Sequence, residues 1–403
     1  MTTLPPFTTW QDEFTAIRRD LHQFPELGYT EYRTADKIAY YLEQWQIPLH
    51  RGLGGTGVVG ILKGDTGPGA AIGLRADIDA LPMPEQNTFD HKSQHEGIMH
   101  ACGHDGHTTM LLAAARYLSQ HRNFNGTIYF IFQPAEEGLG GAKKMIDDGL
   151  FRLFPMDAVF GLHNWPGMPA GQFGLRTGAI MASSSTFSLT IQGKGAHGAM
   201  PNLGADPVIA AVSIAQGLQT IISRNLDPLE QTVLSITQIH AGSADNVIPD
   251  QAELRGTVRT FSNEALDLIE KRIGELSSQT AQALGCSVQY EFDRRYPPTI
   301  NHLEPTQFCA QLLQDWRGSE NVIYPVQPSM GAEDFSFMLE QVPGCYLFLG
   351  NGDGDHRAQG HGLGPCTLHN GSYDFNDQLI PIGATYWVKL ATSWLQAKHD
   401  ATN

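Results

Sequence analysis

Hydrophobic positions follow two different rhythms along the chain. Apolar residues recur at helical spacing from Gln11 to Arg19 and from Thr34 to Trp45, and Ala70–Leu74 then forms a short apolar strand running into Arg75, Ala76 and Asp77. A helix is predicted over Thr108–Ser119 from Met110, Leu111, Ala114 and Leu118, entered through the histidine-rich stretch MHACGHDGH, Met99 to His107. Thr127–Phe132 (TIYFIF) is continuously apolar, as in a strand buried on both faces, and Pro134 stops it. Ala142–Asp148 reads as helix and Ala158–Leu162 as another short buried strand, so strands alternate with helices as in a mostly parallel sheet.

The rhythm changes near Ser183. Phe187, Leu189 and Ile191 alternate with Ser188, Thr190 and Gln192, the pattern of a strand with one solvated face. A helix over Asp206–Ser223, strands over Thr232–Ile239 and Ala252–Thr260, a helix over Glu264–Ala283 and a strand over Ser287–Phe292 follow, which is the ferredoxin-like order βαββαβ. Tyr296-Pro297-Pro298 reads as a linker, after which Cys345–Leu349 (CYLFL) returns to the first rhythm and Asn351–Pro365 reads as a polar, glycine-rich loop. The expected architecture is an α/β domain with a mostly parallel sheet over 1–182 and 297–403, with helices on both faces of its sheet, interrupted by an inserted ferredoxin-like α+β domain over 183–296.

Composition narrows the functions open to such a chain. Its 403 residues can bury a full core, and 41% apolar with 17% charged residues is far from the signature of disorder. A formal charge of -16 and the lack of a basic stripe argue against nucleic-acid binding. Five widely spaced cysteines do not form a disulfide framework, and neither a leader-like opening nor a membrane-length apolar run is present in the sequence, so a cytoplasmic protein without membrane attachment is expected.

In α/β sheets, ligand sites form beyond the carboxyl ends of strands. Asp77 follows Leu74, Glu136 and Glu137 follow Phe132, His163 follows Leu162, and His369 lies past the last strand. Cys102 and His104 share the histidine-rich turn, and thiolate, imidazole and carboxylate are together the usual donors for zinc-like ions. Taken singly each has a plain structural reading, since a lone buried cysteine is more often a small hydrophobe than a ligand. His91, His95 and His100 read as loop surface or local hydrogen-bond partners. Adjacent glutamates after a buried strand repel each other without a cation, and one can bind metal while its neighbour handles protons.

The segments RADIDALP, MHACGHDGH, QPAEEG, GLHN, GKGAHGAMP, NVIPD, ELRGTVRTF, GAEDF and LHN, in this order, resemble those of the M20 metallopeptidases, in the amidohydrolase branch of hippurate hydrolase, N-acyl-L-amino acid amidohydrolase and the auxin-conjugate hydrolases. The resemblance runs from about Arg18 to Asp377. It implies that Cys102, His104, Glu137, His163 and His369 bind two divalent ions per subunit, of zinc, manganese, cobalt or nickel, and that Glu136 is the proton-transferring carboxylate. Asp77 and Asp105 would orient neighbouring groups. It further implies that His197 steadies the carbonyl oxygen, in its own subunit or its partner's, and that Asn246, Arg255 and backbone around Gly331 bind the substrate's carboxylate, with Arg259 a rival to Arg255. The chain departs from the wider family at Arg75, where dinuclear peptidases carry a metal-binding histidine; arginine cannot serve as that ligand.

The activity so implied is hydrolysis of small N-acyl amino acids, acetyl, benzoyl or aryl-acyl, with a dipeptidase or carboxypeptidase using the same metals as the alternative. A non-catalytic metal-binding scaffold is disfavoured by a base beside the ligands. A homodimer through an edge of the inserted sheet is also expected, because an unpaired strand edge accepts strand addition.

Overall fold

A computed structural model describes residues 7–357 and 359–402; the first six residues, part of the opening segment read above, lie outside the described residues. The chain divides into two compact units. The first runs to Ile180 and resumes over Asn301–Gln327 and from Phe337; the second comprises Met181–Ile300 and Pro328–Ser336.

The first unit is built on strands β1 (Leu49–Leu53), β2 (Gly57–Lys63), β3 (Ala71–Asp77), β4 (Thr127–Gln133) and β5 (Ala158–Pro166), with further strands at Phe173–Gly174, Val322–Ile323 and Gly344–Gly352. They form one eight-stranded sheet in the order β1, β2, β4, β3, β5, then 344–352, 173–174 and 322–323. The centre is parallel, β3 pairing with β4 and β5, and β5 with 344–352. Helices α1 (Gln11–Gln23), α2 (Tyr32–Gln44) and α3 (His104–Gln120) join those at Leu303–Arg317 and Leu379–Thr402. Leu74, Phe130, Phe132, Phe160, Leu162 and Leu347 share one apolar cluster with Met110, Leu111 and Leu118 of α3 and with Trp387, Leu390 and Trp394 of the last helix. Each such side chain, fully buried, contributes about 1.5–3 kcal/mol. Arg75, Asp77 and His163 alternate with those apolar residues, so strand periodicity turns them to the other side.

Two helices, Leu303–Arg317 and Leu379–Thr402, were not read from the sequence. The second is apolar nearly all round where it enters the core, which removes the one-sided pattern that marks an amphipathic helix. Helix α3 begins at His104, four residues before the expected Thr108, because Gly103 at φ +92° makes a left-handed entry that brings the histidine turn into the helix.

In the second unit, strands Thr232–Ala241, Gln251–Thr260, Ser184–Gln192 and Ser287–Tyr296 lie side by side in that order, all antiparallel. The expected βαββαβ succession is found, with helices Pro207–Asn225 and Asn263–Ala283. Asp206 caps the first through Val208 and Ile209 N–H, and Ser262 caps the second through Ala265 N–H. Ile214, Leu218, Ile269 and Ile273 cover Leu189, Ile191, Leu254 and Val258. Glu253, Arg255, Thr257 and Arg259 alternate with buried Leu254, Gly256 and Val258, as one-sided cover requires. The segment 328–336, which the sequence reading leaves with the first region, clusters with this unit.

The described cysteines are all free, and among the described residues no helix is long and apolar enough to cross a membrane.

Candidate metal centre

The donors come from turns that follow the strands and from β5 itself. Gly103 places Cys102 just before α3 and His104 in its first turn. Pro134 and Ala135, the latter at φ +54°, swing the chain from β4 into Glu136 and Glu137. His163 lies on β5, and His369, at φ +59°, is fixed by its N–H to the Ala101 carbonyl at 2.8 Å.

The imidazoles of His104 and His163 are each oriented by their second nitrogen. His104 Nδ1 lies 2.9 Å from the Asp79 carbonyl oxygen and 3.2 Å from Asp79 Oδ1, which puts a proton on Nδ1 and turns Nε2 towards the cluster. That Nε2 is 3.9 Å from Glu137 Oε1, and both atoms are buried without a hydrogen-bond partner among the described residues. His163 Nδ1 meets the Asn164 carbonyl at 2.6 Å, and its Nε2 is 3.3 Å from Cys102 Sγ. His369 Nε2 lies 3.4 Å from Glu137 Oε1. Donor atoms of Cys102, His104 and His163 fall within 4.8 Å of one another, as do those of Cys102, Glu137 and His369, and of His104, Glu136 and Glu137. The structure therefore brings together all five sequence-nominated donors, with Glu136 among them.

The field at the cluster favours positive charge. Burial opposes charging His104, yet Asp77, hydrogen-bonded Asp79 and Glu137 raise its pKa to about 10. Burial, then Glu137, Glu136 and Asp77, push the Cys102 thiol well above its ordinary range. Burial holds His163 neutral, with His107 adding to the effect. Two buried donor atoms without a hydrogen-bond partner among the described residues, set amid carboxylates, thiol and imidazole, fit divalent cations.

Asp77 does not reach the donors alone. Burial works against its charge, but His104, His107 and Arg75 hold it well below the usual carboxylate range. Arg75 Nη1 donates to Asp77 Oδ2 at 2.7 Å and its Nε to Gln133 Oε1 at 2.8 Å, so the arginine acts as a buttress for Asp77. Asp105 bonds away from the cluster: its Oδ2 meets His22 Nδ1 at 2.8 Å and Arg18 Nη1 at 3.6 Å, tying α3 to α1. Its expected part in orienting the donors thus reduces to anchoring the turn that bears them. His100, read as a surface or locally bonded residue, is 1% exposed, and neither ring nitrogen has a hydrogen-bond partner among the described residues.

Sequence reasoning missed Asp79, His107 and Asn164. His107 uses both nitrogens, Nδ1 on Asp77 Oδ1 at 2.6 Å and Nε2 receiving the Asn164 N–H at 2.9 Å. Its signal was the spacing of three residues from His104, which puts both rings on one helix face. Asn164 Nδ2 donates to the Cys102 carbonyl at 2.6 Å and its Oδ1 accepts from Tyr373 Oη at 2.7 Å.

The second unit's candidates sit apart from one another in kind. His197 is exposed on a two-residue strand paired with Val247–Ile248, and Gly198 N–H donates to the Asn246 carbonyl at 2.8 Å, so His197 and Asn246 are neighbours. The Ala199 N–H reaches His197 Nδ1 at 3.1 Å, which places the ring proton on Nε2. Arg255 is exposed in mid-strand with its Nε on Glu253 Oε1 at 2.7 Å, lining a polar cavity of about 430 Å³ with Thr186, Ser188, Gln238, Glu291 and Arg295. Arg259 is half-buried, with Nη1 on Ser184 Oγ at 2.6 Å. Gly331 already donates its N–H to Ser329 Oγ at 3.0 Å and accepts Ala182 N–H at 2.9 Å.

Residues 73–393 match the model of Peptidase family M20/M25/M40. The chain belongs to the M20 family. This M20 protein is 42% identical over 396 residues to hippurate hydrolase of Campylobacter jejuni, covering 98% of this chain and 100% of that one. It is 39% identical over 389 residues to IAA-amino acid hydrolase ILR1-like 4 of Arabidopsis thaliana, covering 95% and 86%. The crystal structure of the Bacillus subtilis YxeP protein, a dinuclear metal binding peptidase from the M20 family, matches with a TM-score of 0.83 at 32% identity, covering 96% and 99%. The M20 chain is thus a hydrolase acting on amide bonds, on an α/β fold with a separate antiparallel sheet.

Proposed function

We propose that this M20 hydrolase cleaves N-acyl amino acids into a carboxylic acid and a free amino acid. The observation that carries the reading is Glu136, 6% exposed, with a carboxylate oxygen inside the same 4.8 Å cluster as His104 and Glu137. The likeness to hippurate hydrolase and an IAA-amino acid hydrolase supports it.

Cys102, His104, Glu137, His163 and His369 would hold two divalent ions; the thiolate favours zinc, cobalt or nickel, with manganese the harder alternative. When bound, such ions polarise an amide carbonyl and ease deprotonation of water. Glu136 takes a proton from the water as its oxygen bonds the carbonyl carbon, then gives that proton to the departing nitrogen as the C–N bond breaks. His197, with its proton on Nε2, donates to the carbonyl oxygen as charge develops. Asn246 and Arg255 bind the carboxylate, for which a guanidinium is suited; Gly331, its N–H engaged, is left with a lesser part, and half-buried Arg259 is the rival to Arg255.

Trp165, two residues beyond His163 on the same strand, stacks on buried Phe348 at 4.0 Å and 23°. That flat wall suits a benzoyl or arylacetyl group. The second unit would serve as lid and dimer contact, pairing copies along the Thr232–Ala241 edge strand; a native mass of one chain overturns the dimer.

The test is a hydrolysis panel of N-acetyl, N-benzoyl and indoleacetyl amino acids with simple dipeptides, on metal-stripped and refilled protein. Acyl amino acids are expected to turn over only after refilling. Faster turnover of dipeptides would replace this reading with a peptidase.

A further inference from the structure

The turn carrying Glu136 and Glu137 is bent against the preference of Ala135, with glycines taking up the rest of the bend. Ala135 sits at φ +54°, Gly138 at +77° and Gly140 at +71°, and Glu137 leaves the helical region at ψ 73°. A left-handed alanine persists only where its surroundings over-determine it. The surroundings here come from the chain between α1 and α2. Glu31 is 0% exposed; its Oε1 accepts the Ala135 N–H at 2.8 Å and its Oε2 accepts the Thr56 hydroxyl at 2.6 Å. Tyr29 Oη donates to the Leu139 carbonyl at 3.0 Å. Gly28 packs so closely that an added Cβ would lie 2.7 Å from Leu139 Cδ1 and 3.1 Å from Ala135 Cα. Asp79 Oδ2 takes the Glu137 N–H at 3.0 Å from the opposite side.

A carboxylate is a costly way to satisfy one backbone N–H inside a protein: burial, only partly offset by the hydrogen bonds from Thr56 and Ala135, pushes the Glu31 pKa up to about 7. A hydroxyl or amide would cap the same group with less desolvation. What a carboxylate adds is two rigid acceptors on one plane, here spent on Ala135 and on Thr56, which leads into β2. The residue after Ala135 is Glu136.

We propose that Glu31 is a positioning residue for Glu136, setting the turn from which the base reaches water and leaving amine. The proposal rests on the base role of Glu136. It differs from a structural anchor in what it predicts: proton transfer slows while substrate binding and metal content hold.

The experiment compares Glu31→Ala, Glu31→Gln and Glu136→Gln on N-benzoylglycine, reading kcat, KM and bound metal per chain. Because a displacement of about 1 Å at a reacting group costs up to about 10²-fold, Glu31→Ala is expected to lower kcat about 10- to 100-fold with KM within about threefold and metal unchanged. Glu31→Gln keeps an oxygen for the Ala135 N–H and is expected to recover most of the rate. Wild-type kcat in Glu31→Ala, or parallel loss of metal and KM without rescue by glutamine, overturns the proposal. If Glu31→Ala does not fold, Tyr29→Phe, which releases Leu139 at the exposed end, is expected to lower kcat by about threefold or more at unchanged KM, and an unchanged kcat there overturns it. A fully active Glu136→Gln brings down the base assignment and this proposal with it; an inactive Glu136→Gln beside a fully active Glu31→Ala brings down the clamp alone.

Discussion

The two units hold their candidate residues on opposite terms. In the first, His104, His163 and Cys102 are buried while His369 is exposed, and the two buried imidazoles each have one nitrogen committed to a carbonyl or carboxylate so that the other is aimed. In the second, His197, Asn246 and Arg255 are exposed on strand surfaces or strand ends, and the Arg255 side chain is engaged by its neighbour Glu253. Charges buried together interact several times more strongly than the same charges in water, so the first set is organised before any substrate arrives. The second set acquires its energetic weight only when a substrate removes water from it. Loss of an aimed donor in the first region is therefore expected to appear in metal affinity and turnover, and a defect in the second in turnover or KM with metal retained.

The sharpest break of this contrast is Glu136→Gln, expected to retain metal while losing about 10²- to 10⁴-fold in kcat, checked by metal analysis beside steady-state rates. His197→Ala comes next, with roughly 10²- to 10³-fold lost in kcat, full metal and an unshifted melting temperature. Near-normal activity there would remove the second unit from the chemistry. Asp79→Asn, which weakens the aim of His104, is expected to cost about 10- to 100-fold in metal affinity in a chelator competition, an effect that Asn246→Ala must not reproduce. Arg255→Ala is expected to raise KM about tenfold for substrates with a free carboxylate, about 1.4 kcal/mol, and to leave their amides unaffected. If Arg259→Ala does this instead, the half-buried arginine holds the carboxylate.

The smallest effect concerns stability. Burial disfavours charge on His22, but its hydrogen bonds to Asp105 and Glu85 raise its pKa to about 10. The folded state thus binds a proton that the unfolded chain, with histidine near 6.5, releases. The contribution is complete below about pH 6.5 and is lost as pH rises towards 10, giving a decline of a few degrees in melting temperature over that window. His22→Gln is expected to flatten the decline; an identical slope in both proteins would show that the pair does not carry it.

Much of this was legible in the sequence, for physical reasons. Continuous apolar runs identified β3, β4 and β5, and the rule that ligands gather beyond strand ends led to Asp77, Glu136, Glu137 and His163. Alternation gave the inserted βαββαβ. What escaped was chiefly what depends on contacts between distant segments. Asp79 pairs with a residue 25 positions away and Asn164 with one 57 away, separations no periodicity encodes. The start of α3 escaped because a left-handed glycine lets a helix begin in a stretch that reads as loop. Gly331 shows the converse, a motif glycine whose N–H the fold has already used.

That glycine before α3 has a consequence for mutagenesis. At Gly103 any side chain would have to occupy the space of the Asn164 amide and the Tyr373 hydroxyl, in a backbone conformation that L-residues seldom adopt. The least replaceable residue around the two candidate ions is thus one with no side chain at all. A saturation library at this codon is expected to return glycine alone, while a survey restricted to donor side chains would pass over it.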